Sequence, residues 1–219
     1  NCYLLNGVGL DLNKYKKLSQ KEILSKKKEL GLKENDFVVL MIAELNENKN
    51  QVQLIEAMEV LKDTYPEIKA ICVGEGDKLS ELQSEVKNRG LEGKVNFLGF
   101  RNDINELINI CNIGVLLSYR EGLPRNLMEL MACGKKMIAT NIRGCRDIVV
   151  DKTVGELVEV GDYEATAKAI EEQYLYGDNE FIISKEIEKY DVKTINEGLR
   201  FIYKQLEEGG YYHKEGYAY

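Results

Sequence analysis

The sequence predicts an α/β fold: a doubly wound parallel sheet with additional C-terminal helices. Three observations carry this. Short apolar runs alternate with segments of helical spacing in a βαβα rhythm. The connections between them are only a few residues long. After Asp162 the alternation stops and the pattern becomes helical throughout.

The front end, "NCYLLNGVGLDLNKYKKL", has a short apolar run, Asn-Gly turn chemistry and then a charged segment. It reads as a strand end and a linker, over residues 1–13, left from a preceding domain. "FVVLMIA" (Phe37 to Ala43) is a buried-strand run. "QVQLIEAMEVLKD" follows with helical spacing at Val52, Ile55, Ala57, Met58 and Leu61. "IKAICVG" (Ile68 to Gly74) is strand-like, and "DKLSELQSEVKNRG" is a polar helix stopped by Gly90. "KVNFLGF" (Lys94 to Phe100) is a short strand, and "NDINELINIC" is a helix capped by Asn102 or Asp103. "IGVLLS" (Ile113 to Ser118) is a buried strand, and "RNLMELMAC" is a helix closed by Gly134. "KKMIAT" (Lys135 to Thr140) and "GELVEV" (Gly155 to Val160) complete the sheet. "YEATAKAIEEQYLYG" is a helix, and "DVKTINEGLRFIYKQLEE" carries Ile195, Leu199, Ile202, Tyr203 and Leu206 on one amphipathic face. The division is therefore a sheet domain over 14–160, C-terminal helices over 161–207 and a loose tail over 208–219.

Composition excludes several functions. The chain has 219 residues, 44% hydrophobic and 31% charged, enough for a core without disulfides or metal. A net charge of -7 argues against a nucleic-acid partner. Cys2, Cys72, Cys111, Cys133 and Cys145 form no CxxC pair and suit a reducing, cytoplasmic compartment. The single histidine, His213, lies in a Tyr-rich tail, which disfavours a zinc site or a Ser-His-Asp triad. No apolar run approaches the roughly 18 to 20 residues that cross a bilayer, although a peripheral contact at the inner face of the plasma membrane stays open.

In the common strand order the fourth strand returns beside the first, and ligands bind in the crevice at that switch point. The loops there are "ELNENKN" (Glu44 to Asn50) and "YREGLPRN" (Tyr119 to Asn126). Proline near the first helical position loses no hydrogen bond, so Pro124 marks a helix start. The N–H groups of Gly122, Leu123, Arg125 and Asn126 are then placed to meet a phosphate. Glu121 stands at the strand exit and Glu129 one to two turns into the helix, where carboxylates accept from sugar hydroxyls. Two arbitrary glutamates would more often be solvated, so the setting has to carry the argument. Lys49 is the natural phosphate cation, and Asn48 or Asn50 a cap for the next helix. "VGEGD" lacks GxGxxG and reads as a tight turn, not a dinucleotide loop. Arg101 either lies against a base or is an exposed arginine beside a helix cap, and Arg143 and Arg146 either sit near the site rim or, the favoured reading, form surface ion pairs.

"REGLPRNLMELMACGKKMIATNIRGCRDIV" resembles the donor-site signature of the retaining glycosyltransferases of family four, which have the two-Rossmann GT-B fold. "NENKNQVQLIEAMEVLKD", "AICVGEGDKLSEL", "VNFLGFRNDINELI" and "VGELVEVGDYEATAKAI" match in order, so the likeness runs from about Asn6 to Leu206, with bacterial capsule and exopolysaccharide enzymes most similar. The resemblance implies a Rossmann-like C-terminal half that binds a nucleotide sugar, usually a UDP-sugar, without a required metal or other cofactor. It implies that Glu121 contacts the transferred sugar and Glu129 the ribose. Lys49 would neutralise the diphosphate with the amides of Gly122 and Leu123, Arg101 would frame the base, and Gly74 would give it room. Transfer would be retaining, by front-face attack, with the leaving diphosphate taking the acceptor's proton.

Two departures accompany the likeness. Ala43-Glu44 stands where the family often has Gly-Arg, so Glu44 is expected to pair with Lys49 or to touch a hydroxyl. The acceptor-binding N-terminal domain, which would meet a glycan or lipid-linked acceptor, lies outside these residues, so this part alone is expected to be inactive. The last amphipathic helix would then expose its apolar face or pair with a second copy. A nucleotide-sugar 2-epimerase half and a non-catalytic binding module are the alternative readings.

Overall fold

A computed structural model describes residues 7–177 and 185–207. Residues 1–6 of the linker, the tail 208–219, Cys2 and His213 lie outside the described residues.

The elements are α1 (Gln20–Glu29), β1 (Phe37–Ile42), α2 (Gln51–Leu61), β2 (Ile68–Val73), α3 (Leu79–Asn88), β3 (Val95–Phe97) and α4 (Ile104–Ile110), then β4 (Ile113–Leu116), α5 (Arg125–Ala132), β5 (Met137–Thr140), α6 (Arg143–Arg146), β6 (Gly155–Val158), α7 (Tyr163–Tyr176) and α8 (Val192–Glu207). All six strands are parallel, in the order β3-β2-β1-β4-β5-β6. The order reverses between β1 and β4, as the common doubly wound pattern requires.

Period-two alternation splits each strand between two cores. Val39 and Met41 of β1 join α2, α3 and α7 on one face. Val38 and Leu40 join α4 and α5 on the other. A Cβ on Gly114 of β4 would stand 2.1 Å from the Leu130 side chain, so glycine there lets α5 sit close to the sheet. Asn112, just before β4, adds a further rung: its Oδ1 accepts from Val38 N–H at 2.8 Å and its N–H donates to Val38 O at 2.9 Å.

The structure departs from expectation in places. The charged segment after the linker contains a helix, α1, begun by a capping box between Ser19 and Glu22. The S-x-x-E spacing was present, but a row of lysines hid the apolar stripe. Strands are shorter than their apolar runs: β3 stops at Phe97 and β6 at Val158, because Gly99 and Gly161 take positive φ. The short helix α6 was also absent from the sequence reading.

In α2, Gln51, Gln53 and Leu54 are buried beside the expected apolar positions, because α7 covers the side that the sheet does not. Gln53 serves as the joint. Its Nε2 donates to Thr166 Oγ1 (2.9 Å) and Glu159 O (3.1 Å), while its Oε1 accepts from Gly161 N–H (2.7 Å) and Asn50 Nδ2 (2.8 Å). Of the α8 face, Ile195 is buried while Tyr203 and Leu206 remain exposed.

Candidate functional site

The chain leaves β1 into a loop shaped by its own polar side chains. Asn46 Oδ1 accepts from Lys49 N–H at 3.1 Å and closes a 3-10 turn over Glu47–Lys49. Asn50 follows with φ 52°, the one positive φ at a non-glycine among the described residues. Asparagine tolerates that left-handed conformation. Gln51 Nε2 holds Glu44 O at 2.8 Å. Neither Asn48 nor Asn50 caps α2 through its side chain.

The loop after β4 is stitched to this one. Tyr119 N–H donates to Asn48 O at 2.8 Å, and Asn48 Nδ2 to Arg120 O at 3.0 Å. Thr140 Oγ1, on the end of β5, donates to Ser118 O at 2.7 Å. This frame brings Lys49 Nζ to 2.5 Å from Glu121 Oε1, which also accepts from Ser118 Oγ at 2.7 Å. The expected Glu44–Lys49 pair does not form: Lys49 turns to Glu121, and Glu44 faces solvent.

Pro124 occupies the cap position, with φ -71° and ψ 114°, one residue before the helix proper. Gly122 and Leu123 are therefore loop amides, and Arg125 and Asn126 are the first helical ones. No described residue accepts a hydrogen bond from any of these four N–H groups. Asn126 fixes the helix start to β1, its Nδ2 donating to Ile42 O at 2.7 Å. A Cβ on Gly144 of α6 would lie 2.4 Å from Gly122 O, so the Gly122 loop is backed by bare backbone.

Glu129 is 8% exposed. Its Oε1 accepts from Tyr15 O–H at 2.7 Å and from Arg125 Nε at 3.0 Å. The hydrogen bond to Glu129 holds the Arg125 guanidinium above its usual range.

A cleft of about 710 Å³ opens at the carboxyl ends of β1 and β2. Glu44, Gly74, Arg101 and Arg125 line it, with Ala43, Glu75, Phe100 and Ile104. Lys49, Glu121 and Glu129 are not on its wall; Glu129 is joined to it through Arg125. Gly74 has φ 139°, and a Cβ there would stand 2.1 Å from Ala43 O. The glycine is thus required by the neighbouring strand end, whatever room it leaves a ligand. Arg101 is half-buried beside the cap of α4, not exposed. It lines the cleft, and it forks onto Asp103, the cap residue of α4, at 2.8 and 2.5 Å. Lys26 of α1 reaches Asp103 at 2.7 Å. The Arg101 hydrogen bond, aided by Lys26 against the opposing effect of burial, holds the Asp103 carboxyl well below its usual range.

Sequence reading missed Tyr15, Phe100 and Glu75. No local motif marks Tyr15, which meets Glu129 across 114 residues. Phe100 is 67% exposed at the cleft mouth, where an aromatic beside Arg101 could have been noticed. The expected ion pairs of Arg143 and Arg146 are not found among the described residues; Arg146 Nη1 donates instead to Asn141 O and Oδ1 at 3.1 and 3.2 Å. Burial pushes the thiols of Cys72, Cys111, Cys133 and Cys145 up to about 12, which suits inert core groups. Among the described residues no three Asp, Glu, Cys or His side chains converge as a metal site.

Comparison with known proteins gives this geometry a context. The family model described as Glycosyl transferases group 1 matches residues 22–193. EpsD of Bacillus subtilis (strain 168), provisionally named a glycosyltransferase, is 38% identical over 170 residues, 78% of this chain and 45% of EpsD. The UDP-Gal:alpha-D-GlcNAc-diphosphoundecaprenol alpha-1,3-galactosyltransferase of Escherichia coli is 31% identical over 165 residues, 74% of this chain and 42% of that enzyme. Among solved structures, Anabaena Alr3699/HepE in complex with UDP and glucose aligns with a TM-score of 0.82 at 30% identity, covering 90% of this chain and 55% of that one. The chain spans about half the length of the relatives it matches.

Proposed function

The chain belongs to the glycosyl transferases group 1 family, and from that premise we propose that it is the donor-binding half of a retaining glycosyltransferase. The donor is a UDP-sugar, and the acceptor is a glycan or a lipid-linked saccharide met by a partner domain. The observation that carries this reading is the Lys49–Glu121 pair, held at the β1/β4 switch point by two loops hydrogen-bonded to each other. Support for the ligand comes from the UDP and glucose bound in the Anabaena structure. The diphospho-undecaprenol in the name of the E. coli relative supports a lipid-linked acceptor and a peripheral position at a membrane. Among the described residues no helix is long and apolar enough to cross one.

In this reading the pyrophosphate enters between the loops. The N–H groups of Gly122, Leu123, Arg125 and Asn126 receive its oxygens, where the helix end adds positive potential. Lys49 moves from Glu121 to the diphosphate, and Glu121 exchanges a cation for hydroxyls of the sugar. Glu129 accepts from the ribose, and the base lies in the cleft beside Arg101. Negative charge grows on the leaving diphosphate as the glycosidic bond breaks. Amides already in place at the helix start, and the ammonium drawn over from Glu121 when the donor binds, stabilise that charge. The diphosphate oxygen then takes the acceptor's proton on the same face, which keeps the anomeric configuration. Lys49 does the work a metal would do, so no metal is required. Without its partner domain the chain binds donor and transfers nothing.

Calorimetry with UDP, UDP-glucose and UDP-N-acetylglucosamine tests the proposal. Saturable binding of UDP is expected. A folded sample giving no heat of binding at millimolar nucleotide would overturn it.

A further inference from the structure

We infer that Tyr15 is a positioning residue for Glu129: it occupies one carboxylate oxygen so that the other is aimed at the ligand's paired hydroxyls. The inference rests on the reading of Glu129 as the ribose-binding group and adds the device that orients it.

Two donors converge on a single atom. Tyr15 O–H lies 2.7 Å and Arg125 Nε 3.0 Å from Glu129 Oε1. Both lone pairs of that oxygen are then used. Oε2 has no hydrogen bond among the described residues and, unlike Asn48 Oδ1 and Gln173 Oε1, is not a fully buried unpartnered atom, so it stays open to the outside although Glu129 as a whole is 8% exposed. The acceptor capacity of this oxygen is therefore open to water or to a ligand. Two ribose hydroxyls on Oε2 would meet it. The two donors also differ in kind. Arg125 lies one turn before Glu129 on the same helix, and its side chain is 60% exposed, so alone it restrains little. Tyr15 comes from outside the helix.

The segment carrying Tyr15 is itself fastened down. Asn105 Oδ1 accepts from Lys16 N–H at 3.0 Å, and Asn109 Oδ1 accepts from Leu18 N–H at 2.9 Å. Asn109 Nδ2 returns a bond to Lys16 O at 2.9 Å. These asparagines stand one turn apart on α4 and grip the backbone on the C-terminal side of Tyr15. On the N-terminal side a 3-10 turn over Leu12–Lys14, capped by Asp11, fixes its approach. The phenol is thus presented to Glu129 by a strap, not by a wandering loop. Burial, then the hydrogen bond to Glu129, raises the phenol above its usual range, so it stays a donor at any physiological pH.

The test compares two nucleotides, UDP and 2′,3′-dideoxyuridine diphosphate, by calorimetry on the whole chain. The difference between them isolates the ribose hydroxyls. Tyr15→Phe deletes one oxygen and leaves the ring in place. It is expected to weaken UDP binding about fivefold, the scale of one hydrogen bond, while dideoxy binding changes by less than about twofold. Glu129→Gln is expected to abolish the preference for UDP. If Tyr15→Phe keeps the preference, or weakens both nucleotides equally, the positioning role is wrong. If Glu129→Gln keeps the preference in a folded sample, the ribose reading itself fails, and this inference with it.

Discussion

Glu121 and Glu129 stand eight residues apart in sequence, yet different kinds of neighbour restrain them. Glu121 is met by Lys49 from a loop 72 residues away, inside a frame of loop-to-loop hydrogen bonds. Glu129 sits on a regular helix and receives two donors on one oxygen. In the proposed reading the first arrangement is rearranged by a ligand: a diphosphate that takes Lys49 leaves Glu121 with Ser118 Oγ as its remaining donor. The second only needs completing. In that proposed reading the reacting end of the site is an exchange of ion partners, whereas the nucleoside end is a preformed socket.

The strongest way to break that contrast is at the exchanging pair. In a protein that also contains its acceptor domain, Lys49→Ala should lower the transfer rate by about 10²–10³, the usual cost of losing one preorganised charge stabiliser. Nucleotide affinity should fall much less, because the diphosphate keeps its amide contacts. Steady-state rates at saturating donor check this; an undiminished rate would remove Lys49 from the chemistry.

At the socket, Glu129→Ala should cost about 1–3 kcal/mol in UDP affinity, read by calorimetry. Any effect on the chemical step should follow from occupancy alone and vanish at saturating donor.

Gly144→Ala separates the two regions differently. Its Cβ would press on Gly122 O, which is backbone and cannot swing away. Overpacking of this kind costs about 1–3 kcal/mol. Thermal melting should show it, and diphosphate binding should weaken while the preference for ribose hydroxyls persists. A loss of that preference would mean that the two ends are not independent.

The smallest effect concerns acid. The Asp103 carboxyl is held below its usual range chiefly by Arg101. A group depressed in this way adds stability that is present above its unfolded value and is lost as pH falls through the folded one. Asp103→Asn should therefore lower the melting temperature modestly at neutral pH and flatten the acid side of the profile, the two proteins converging at low pH.

Much of this was legible in the sequence, for identifiable reasons. The β1 run "FVVLMI" and the Gly-Leu-Pro helix entry are local signals, and strand order followed from the alternation. Strand ends were overrun because apolar residues such as Leu98, which packs on the core and still donates its N–H to Cys72 O, continue past Phe97. Helix α1 was missed because its stabilisation lies in ion pairs to α4, including Lys26 to Asp103 and Glu106, which no periodicity reveals. Tyr15 was invisible for the same reason: its meaning depends on a partner far along the chain. Glu44 could not be placed, since only three-dimensional geometry decides which carboxylate a nearby lysine chooses.

The rung that Asn112 adds between β1 and β4 has a kinetic consequence. It joins residues 74 apart in sequence, whereas β1 and β2 are linked by one short crossover. Closing so long a loop is entropically slow, so the β1/β4 seam should be assembled late in folding and be among the first to open. In the proposed function a nucleotide gripped from both sides of that seam would act as a removable staple. It should lengthen the native lifetime more than it accelerates refolding, so the chain survives longest while it is loaded with donor.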